Sequence, residues 1–294
     1  MSVTTLHDQT EPIALARHRT RARPPWGQVV LHVVLILTAA VAVMPLVWCI
    51  FASFKYYKEV TSSIDLLPHT WTLANYREVL ATPNIWSGFG NTIVVTCSVT
   101  AVTVLTSTMA GYVFAKYNFW GKEKLFLLLL ATMMVPGAVT LVPVYIIVAK
   151  QMHLGDQLGG IIITGLFSTF GIFMMRQFMF NLPSELLDAA RIDGASEWRI
   201  FFLMVIPLSA SPMAALGIFV FLGTWNDFLW PFVVLTSPDR QTLPLVLNGL
   251  QGYYWSRFDL LITAGVLTLI PLMVAYMFGS KYMIRGIAMT GLKM

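Results

Sequence analysis

The chain has 294 residues, of which 57% are apolar and only 11% charged, and its net charge is +5. An ordinary soluble domain carries roughly 25% charged residues, so a water-soluble fold is excluded. The two cysteines, Cys49 and Cys97, both lie in apolar stretches and support neither a disulfide framework nor a Cys-rich metal site. Both are expected to be core packing.

In chain order, Met1 to Ala16 is polar and aperiodic and is expected to be disordered. The basic stretch "ARHRTRARPP" follows and directly precedes an apolar run, which suits an orientation anchor rather than a nucleic-acid arm. Six segments without charge, or nearly so, come next: Pro24 to Phe54, Val79 to Ala115, Leu125 to Ala149, Gln157 to Met175, Ile200 to Asn226 and Leu260 to Ser280. Each is long enough for a transmembrane helix, which needs about 20 residues. The apolar run from Val29 to Phe51 exceeds the 7 to 15 residues of a signal-peptide core and lacks a small-residue cleavage site, so it is expected to stay in the mature chain. The reading is an all-α membrane protein with six transmembrane helices.

Orientation follows from the basic residues. With the N-terminus inside, Arg17, Arg19, Arg21, Arg23, Lys116, Lys122, Lys124, Arg176, Arg191, Arg199, Lys281, Arg285 and Lys293 are cytoplasmic, 13 of the 19 Lys and Arg. Lys55, Lys58, Arg77, Lys150, Arg240 and Arg257 are outside. The excess puts both termini in the cytoplasm. Trp26, Trp86 and Trp198 stand near predicted span starts, where indoles favour the headgroup zone. No internal repeat or Gly/Ser linker divides the chain, which gives a tail over 1–23, one membrane domain over 24–280 and a basic tail over 281–294. Pro45, Pro136, Pro143, Pro207, Pro212, Pro231 and Pro271 lie in or beside spans, where freed carbonyls line a cavity or simply permit bends.

The longest cytoplasmic connection, 181–207, concentrates charge. Pro183 suits a first helical turn, Glu185 and Asp188 the positive end of the helix dipole, and Arg191 its negative end. Gly194 can take the left-handed conformation that ends a helix. A helix of about ten residues is expected, with Leu186, Leu187, Ala189 and Ala190 as its apolar side. It is too short to be stable alone, so a partner surface is expected to hold it.

The stretch "ELLDAARIDGASEWRIFFLMVIPL" resembles the EAA loop of ATP-binding-cassette (ABC) importer permeases. Asp188, Ala189 and Ala190 stand in the Glu-Ala-Ala position, Gly194 in the Gly position and Pro207 in the closing Leu-Pro position; Asp for Glu at 188 is the departure. The segments Gly90 to Lys122, Pro143 to Ile163 and "TWNDFLWPFVVL" are similar to carbohydrate-uptake permeases of the maltose and glycerol-3-phosphate type. The resemblance implies the type I ABC importer permease fold, a bacterial inner or plasma membrane location, and a coupling loop built on Glu185, Asp188, Ala189, Ala190, Asp193, Gly194 and Pro207. It also implies partners: a second permease subunit, two copies of a cytoplasmic ATPase, an extracytoplasmic sugar-binding protein and membrane lipid, without nucleic acid. The implied substrate is a di- or oligosaccharide, with a glycerol-3-phosphate-type compound as the alternative. The tail "KYMIRGIAMTGLKM" resembles the family tail that contacts the ATPase.

This chain is not read as an enzyme, and no cofactor is expected on it. A P-loop needs G-x-x-x-x-G-K-[ST], and the Gly121-Lys122 pair is followed by Glu123. ATP and Mg are expected on the ATPase partner. An ion-coupled secondary transporter predicts several intramembrane carboxylates in repeated halves, whereas only Asp227, at the end of the fifth apolar segment, is a candidate for one. Trp225, Asn226 and Asp227, with Asn91, are candidates for the substrate path, since aromatic faces and amide or carboxylate groups suit a sugar. The alternatives stay open: Asp227 at an outer rim stabilising a helix end, and Asn91 bonding a neighbouring helix. The outer segment "QTLPLVLNGLQGYYWSRF" resembles the periplasmic loop that reaches a binding protein, with Asn248, Gly249, Leu250, Gln251 and Gly252 at its tip; a solvated hairpin is the competing reading.

Overall fold

The structure is a computed structural model that describes residues 25–253 and 257–290, with side chains over 26–250 and 257–280. The Arg17 to Arg23 cluster, the 1–23 tail, the side chains of Gln251 and Gly252, and the side chains of the 281–294 tail lie outside these residues. The chain divides into two units, Met1–Val47 and Trp48–Met294. In the first, α1 (Pro25–Ala52) begins and presents apolar side chains such as Leu35, Ile36 and Leu37 on its exposed surface. A helix apolar all round requires an apolar surrounding.

The second unit opens with two short helices of the outer segment, α2 (Tyr57–Ser62) and α3 (Ala74–Leu80), and then the long α4 (Ile85–Lys116). Next come α5 (Lys122–Thr132), α6 (Gly137–Tyr145), which continues as a π-helical stretch over Ile146–Gln151, α7 (Leu158–Gly165) and α8 (Thr169–Met179). The connection 181–207 holds α9 (Ser184–Ile192) and α10 (Glu197–Ile200), which runs through a second π-helical stretch, Phe201–Val205, into α11 (Ile206–Leu208). The chain finishes with α12 (Ala210–Trp225), α13 (Leu229–Val234), α14 (Leu243–Tyr253) and α15 (Phe258–Thr290). No strand occurs among the described residues.

The six apolar segments all become helical, but not as six straight rods. Four long apolar helical segments (Trp26–Ala52, Ile85–Lys116, Leu158–Met179 and Phe258–Ser280) are joined by two bent pairs, with angles of 94° between α5 and α6 and 77° between the α10–α11 segment and α12. The first bend has a local cause. Pro136 has no N–H to donate and keeps Val135 out of the helical region. Before it the helix tightens, with Met133, Met134 and Val135 donating to carbonyls three residues back at 3.0, 3.1 and 3.3 Å. At the second, the chain restarts at Ala210 with Pro212 in the first turn, where its missing N–H leaves no gap.

Between α7 and α8 the ladder also lapses, over 166–168. The carbonyls freed there are taken by α4: the Thr103 hydroxyl donates to Gly165 O at 2.5 Å and the Thr106 hydroxyl to Leu166 O at 2.9 Å. Ser168 then caps α8 by accepting from the Gly171 N–H at 3.0 Å. At membrane depth, where no water replaces a lost bond, such hydroxyls make a break tolerable.

α4 packs along α8 and α12, and α12 along α15. Small residues set the closest approach: a Cβ on Gly111 would lie 2.7 Å from Met175 Cβ and 2.8 Å from Arg176 N. Around this seam Tyr112, Met175, Met179, Leu187, Ile200, Phe201, Val205 and Leu216 form the largest buried cluster.

Three expectations are corrected. Neither cysteine is core: Cys49 is half-buried and Cys97 exposed, because the apolar environment of a membrane span makes outward-facing small apolar residues acceptable. Pro183 precedes α9 as its N-cap residue instead of sitting in the first turn. The outer segment around Asn248 is not an open loop but the helix α14, whose Leu243, Leu245, Val246 and Leu250 are buried.

Candidate functional site

α9 lies between two fixed ends. Glu185 falls in its first turn and Arg191 in its last, and Gly194 closes it with φ +81°. The left-handed position admits glycine at no steric cost, and a Cβ there would touch nothing within 4 Å, so conformation alone selects the residue. Leu187 is buried with Met179, Leu182, Ile200 and Phe201, and Ala190 packs against the same cluster. Burying that leucine contributes about 2 kcal/mol. α9 is therefore held by its own chain, not only by a partner as its length suggested. Its apolar residues are divided: Leu187 and Ala190 face inward, while Leu186 and Ala189 are exposed and Ile192 is 86% exposed.

The charges sort in the same way. Arg176 is not on the loop surface. It is buried at the end of α8 and donates to both oxygens of Glu123 at 3.0 and 3.1 Å and to Phe114 O at 3.3 Å, with its guanidinium carbon 3.8 Å from the centre of the Phe126 ring. Arg191 pairs with Asp188 at 2.8 Å and with Glu197 at 2.8 Å. Its guanidinium is held even more firmly protonated than usual, chiefly by the hydrogen bond to Glu197. Tyr117, just past α4, donates its hydroxyl to the same Glu197. Burial and that bond push the phenol above its ordinary range. Glu185, Asp193 and Arg199 form no ion pair among the described residues. Pro207 is exposed within α11, just before the bend.

The outward surface of the loop is thus acidic and small, with one protruding isoleucine.

The membrane-depth candidates separate. Trp225 is only 2% exposed; it stacks on Phe221 with centroids 5.8 Å apart and packs with Ile85, Leu243 and Val246. Asp227 lies half-buried beyond the end of α12, just ahead of α13. Asn91 donates to Asp239 O at 2.9 Å and Gln241 O at 3.0 Å, fastening the outer connection to α4. Of the four, Asn226 alone is exposed; its amide donates to Leu222 O at 2.8 Å beside a cleft of about 300 Å³ that is also lined by Trp225, Pro244 and Asn248.

On the outer side Asn248 and Gly249 are exposed and Leu250 is buried against Val79 and Leu260. A second cleft of about 470 Å³ runs beside them, lined by Glu78, Thr82, Asn84 and Gln241. Sequence reasoning missed three groups that organise this side. Asp259 is 1% exposed and is bonded by Arg257 at 2.9 Å, which also reaches Glu78 at 3.4 Å. Asp156 receives the N–H groups of Thr236 and Ser237, both at 2.9 Å. Lys55 is fully buried and donates to Asp65 O. Arg257 and Asp259 are two positions apart, but Glu78 lies 179 positions from Arg257, and the partners of Lys55 and Asp156 lie 10 to 81 positions away.

The architecture is that of a transporter subunit. The chain superposes on one from the crystal structure of a bacterial ABC transporter involved in the import of the acidic polysaccharide alginate, with a TM-score of 0.77 over 87% of this chain and 96% of that one at 22% identity. Residues 103–289 match the family described as binding-protein-dependent transport system inner membrane component, and the chain belongs to that family. Relatives include the arabinooligosaccharides transport system permease protein AraQ of Halalkalibacterium halodurans, 36% identical over 87% of this chain and 92% of the relative. Another is the diacetylchitobiose uptake system permease protein NgcG of Streptomyces coelicolor, 32% identical over 83% and 82% respectively. The chain is a permease component of an ABC importer, integral to the inner membrane, and such a component works with a partner permease, an ATPase and a binding protein. The secondary-transporter alternative is thereby set aside.

Proposed function

We propose that this chain and a second permease subunit form the path along which a di- or oligosaccharide, delivered by an extracytoplasmic binding protein, crosses the inner membrane. Energy comes from ATP, with Mg, on two copies of a cytoplasmic ATPase that dock on α9. The carrying observation is the loop geometry: a two-turn helix fixed to the membrane helices on its inner side, offering Glu185, Leu186, Ala189, Ile192 and Asp193 outward. The named substrates of the arabinooligosaccharide and diacetylchitobiose relatives support the substrate class.

Trp225 is engaged in packing and Asn91 in bonds to backbone carbonyls, so neither is assigned to the path. Broken backbone at membrane depth is stable only against protein or a watery cavity. The breaks after α5 and before α8 meet where the Thr132 and Thr169 hydroxyls approach to 3.2 Å. Beside them Met133, Met134, Phe167 and Phe170 are exposed. We assign this surface to the path, with Asn226 nearer its outer end, and Asn248 and Gly249 to contact with the binding protein.

The test is uptake into proteoliposomes carrying the full complex, with ATP inside and labelled arabinooligosaccharide or diacetylchitobiose outside. Accumulation should require both ATP and the binding protein. Accumulation driven by a proton or sodium gradient without ATP would remove the reading.

A further inference from the structure

α9 is attached to the foot of α4 at two separate points. At its N-terminal end, Lys116 donates to Leu182 O at 2.6 Å and to Ser184 Oγ at 3.2 Å. At its C-terminal end, Arg191 donates through Nε to Glu197 Oε1 at 2.8 Å and through Nη2 to Oε2 at 3.3 Å, and Glu197 Oε2 also accepts the Tyr117 hydroxyl. The Arg191 guanidinium lies 5.7 Å from the centre of the Tyr117 ring. That ring is held edge-on by Tyr112 at 5.4 Å, and Tyr112 packs on Phe201 at 5.9 Å.

The two attachments start from adjacent residues, Lys116 and Tyr117, at the end of the long helix α4, and they grip opposite ends of α9. A single attachment would act as a pivot and let a displaced α9 swivel. Two attachments at different ends fix its direction, so that a displacement of α9 carries α4 with it. Charge-assisted bonds of this kind are short and directional, which suits the transfer of a rigid-body movement.

We infer that Tyr117 and Lys116 are positioning residues for coupling: through Glu197 and Leu182 they lock α9 to α4, so that movement imposed on α9 reaches the membrane helices instead of being lost in rotation of the loop. This rests on the reading of α9 as the ATPase-docking element. Neither residue is part of the proposed path.

The experiment uses the whole complex in proteoliposomes and compares wild type with Tyr117→Phe, which deletes the hydroxyl and keeps the ring, and with Tyr117→Phe combined with Lys116→Met. Three quantities are read: assembled complex, basal ATP hydrolysis, and sugar moved per ATP hydrolysed. A photo-activatable residue at Ala189 reports in parallel whether α9 touches the ATPase. The expected result is unchanged assembly, crosslinking and basal hydrolysis, with sugar per ATP reduced in the single variant and reduced about fivefold or more in the double one. An unchanged ratio in both variants with normal crosslinking would overturn the inference while leaving the docking reading intact. Failure of Tyr117→Phe to assemble would also overturn it, because the hydroxyl would then serve only to hold the fold. Absence of the crosslink in wild type would remove the docking reading itself.

Discussion

Asp156 shows what one side chain does in this protein. Its φ is +55°, a conformation that Asp and Asn tolerate better than most residues. From there its carboxylate accepts the Ser237 hydroxyl at 2.5 Å and two N–H groups, while Arg240 donates to its carbonyl at 2.5 Å. The Ser237 hydroxyl, followed by the N–H groups of Ser237 and Thr236, holds the carboxyl well below the usual carboxylate range. With the folded value depressed, the contribution to stability is complete above the unfolded value of about 3.9 and is lost only as the pH falls through the folded one. The latch therefore survives mild external acidification. The difference in unfolding midpoint between the wild-type protein and Asp156→Asn should stay constant from about pH 8 to pH 5 and shrink only below about pH 4. A difference that already fades between neutral pH and pH 5 would show that another group controls this connection.

At the scale of elements, the interruptions are as informative as the helices. A Pro in an apolar stretch announces a possible bend, and Pro136 makes one of 94°. Pro271 lies inside α15, yet that helix runs through it. The break between α7 and α8 contains no proline at all; it exists because α4 supplies two hydroxyls to the freed carbonyls. Replacing Thr103 and Thr106 together by Val keeps their shape and removes both donors. The loss should be roughly 1 kcal/mol for each interhelical bond, seen as a lower melting temperature of the detergent-purified complex, with faster hydrogen exchange confined to 165–168. Unchanged exchange in that segment would mean that the break is satisfied by other means.

The element that the sequence described best is α9. Its acidic start, basic end and terminating Gly194 are local dictates of capping and dipole, and they are met. The division of its leucines was not legible. Adjacent residues Leu186 and Leu187 point about 100° apart on a helix, and which of them is covered depends on Met179 and Ile200, brought in from other helices.

At the scale of the molecule, orientation is the global property most open to direct test. Single cysteines at Asn118 and Ser196, in a protein whose Cys49 and Cys97 have been replaced by Ser, should be shielded from an impermeant thiol reagent applied outside. Cysteines at Ser62 and Ser237 should react. External labelling at Ser196 would invert the orientation and take the ATPase-docking reading with it.

The sequence alone determined the membrane class, the six apolar segments, the asymmetry of the basic residues and the position of the charged loop over 181–207. Each follows from composition or from interactions within about one helical turn, which the order of residues states outright. The tertiary structure decided how each polar group is used. Asn91 bonds carbonyls 148 and 150 positions away, and Thr103 bonds one 62 positions away. A polar residue in an apolar span must find a partner, because an unmet hydrogen bond there costs several kcal/mol. The sequence states that requirement, but the partner is chosen by the packing of helices, so only the fold tells a path-lining side chain from one that fastens two helices together.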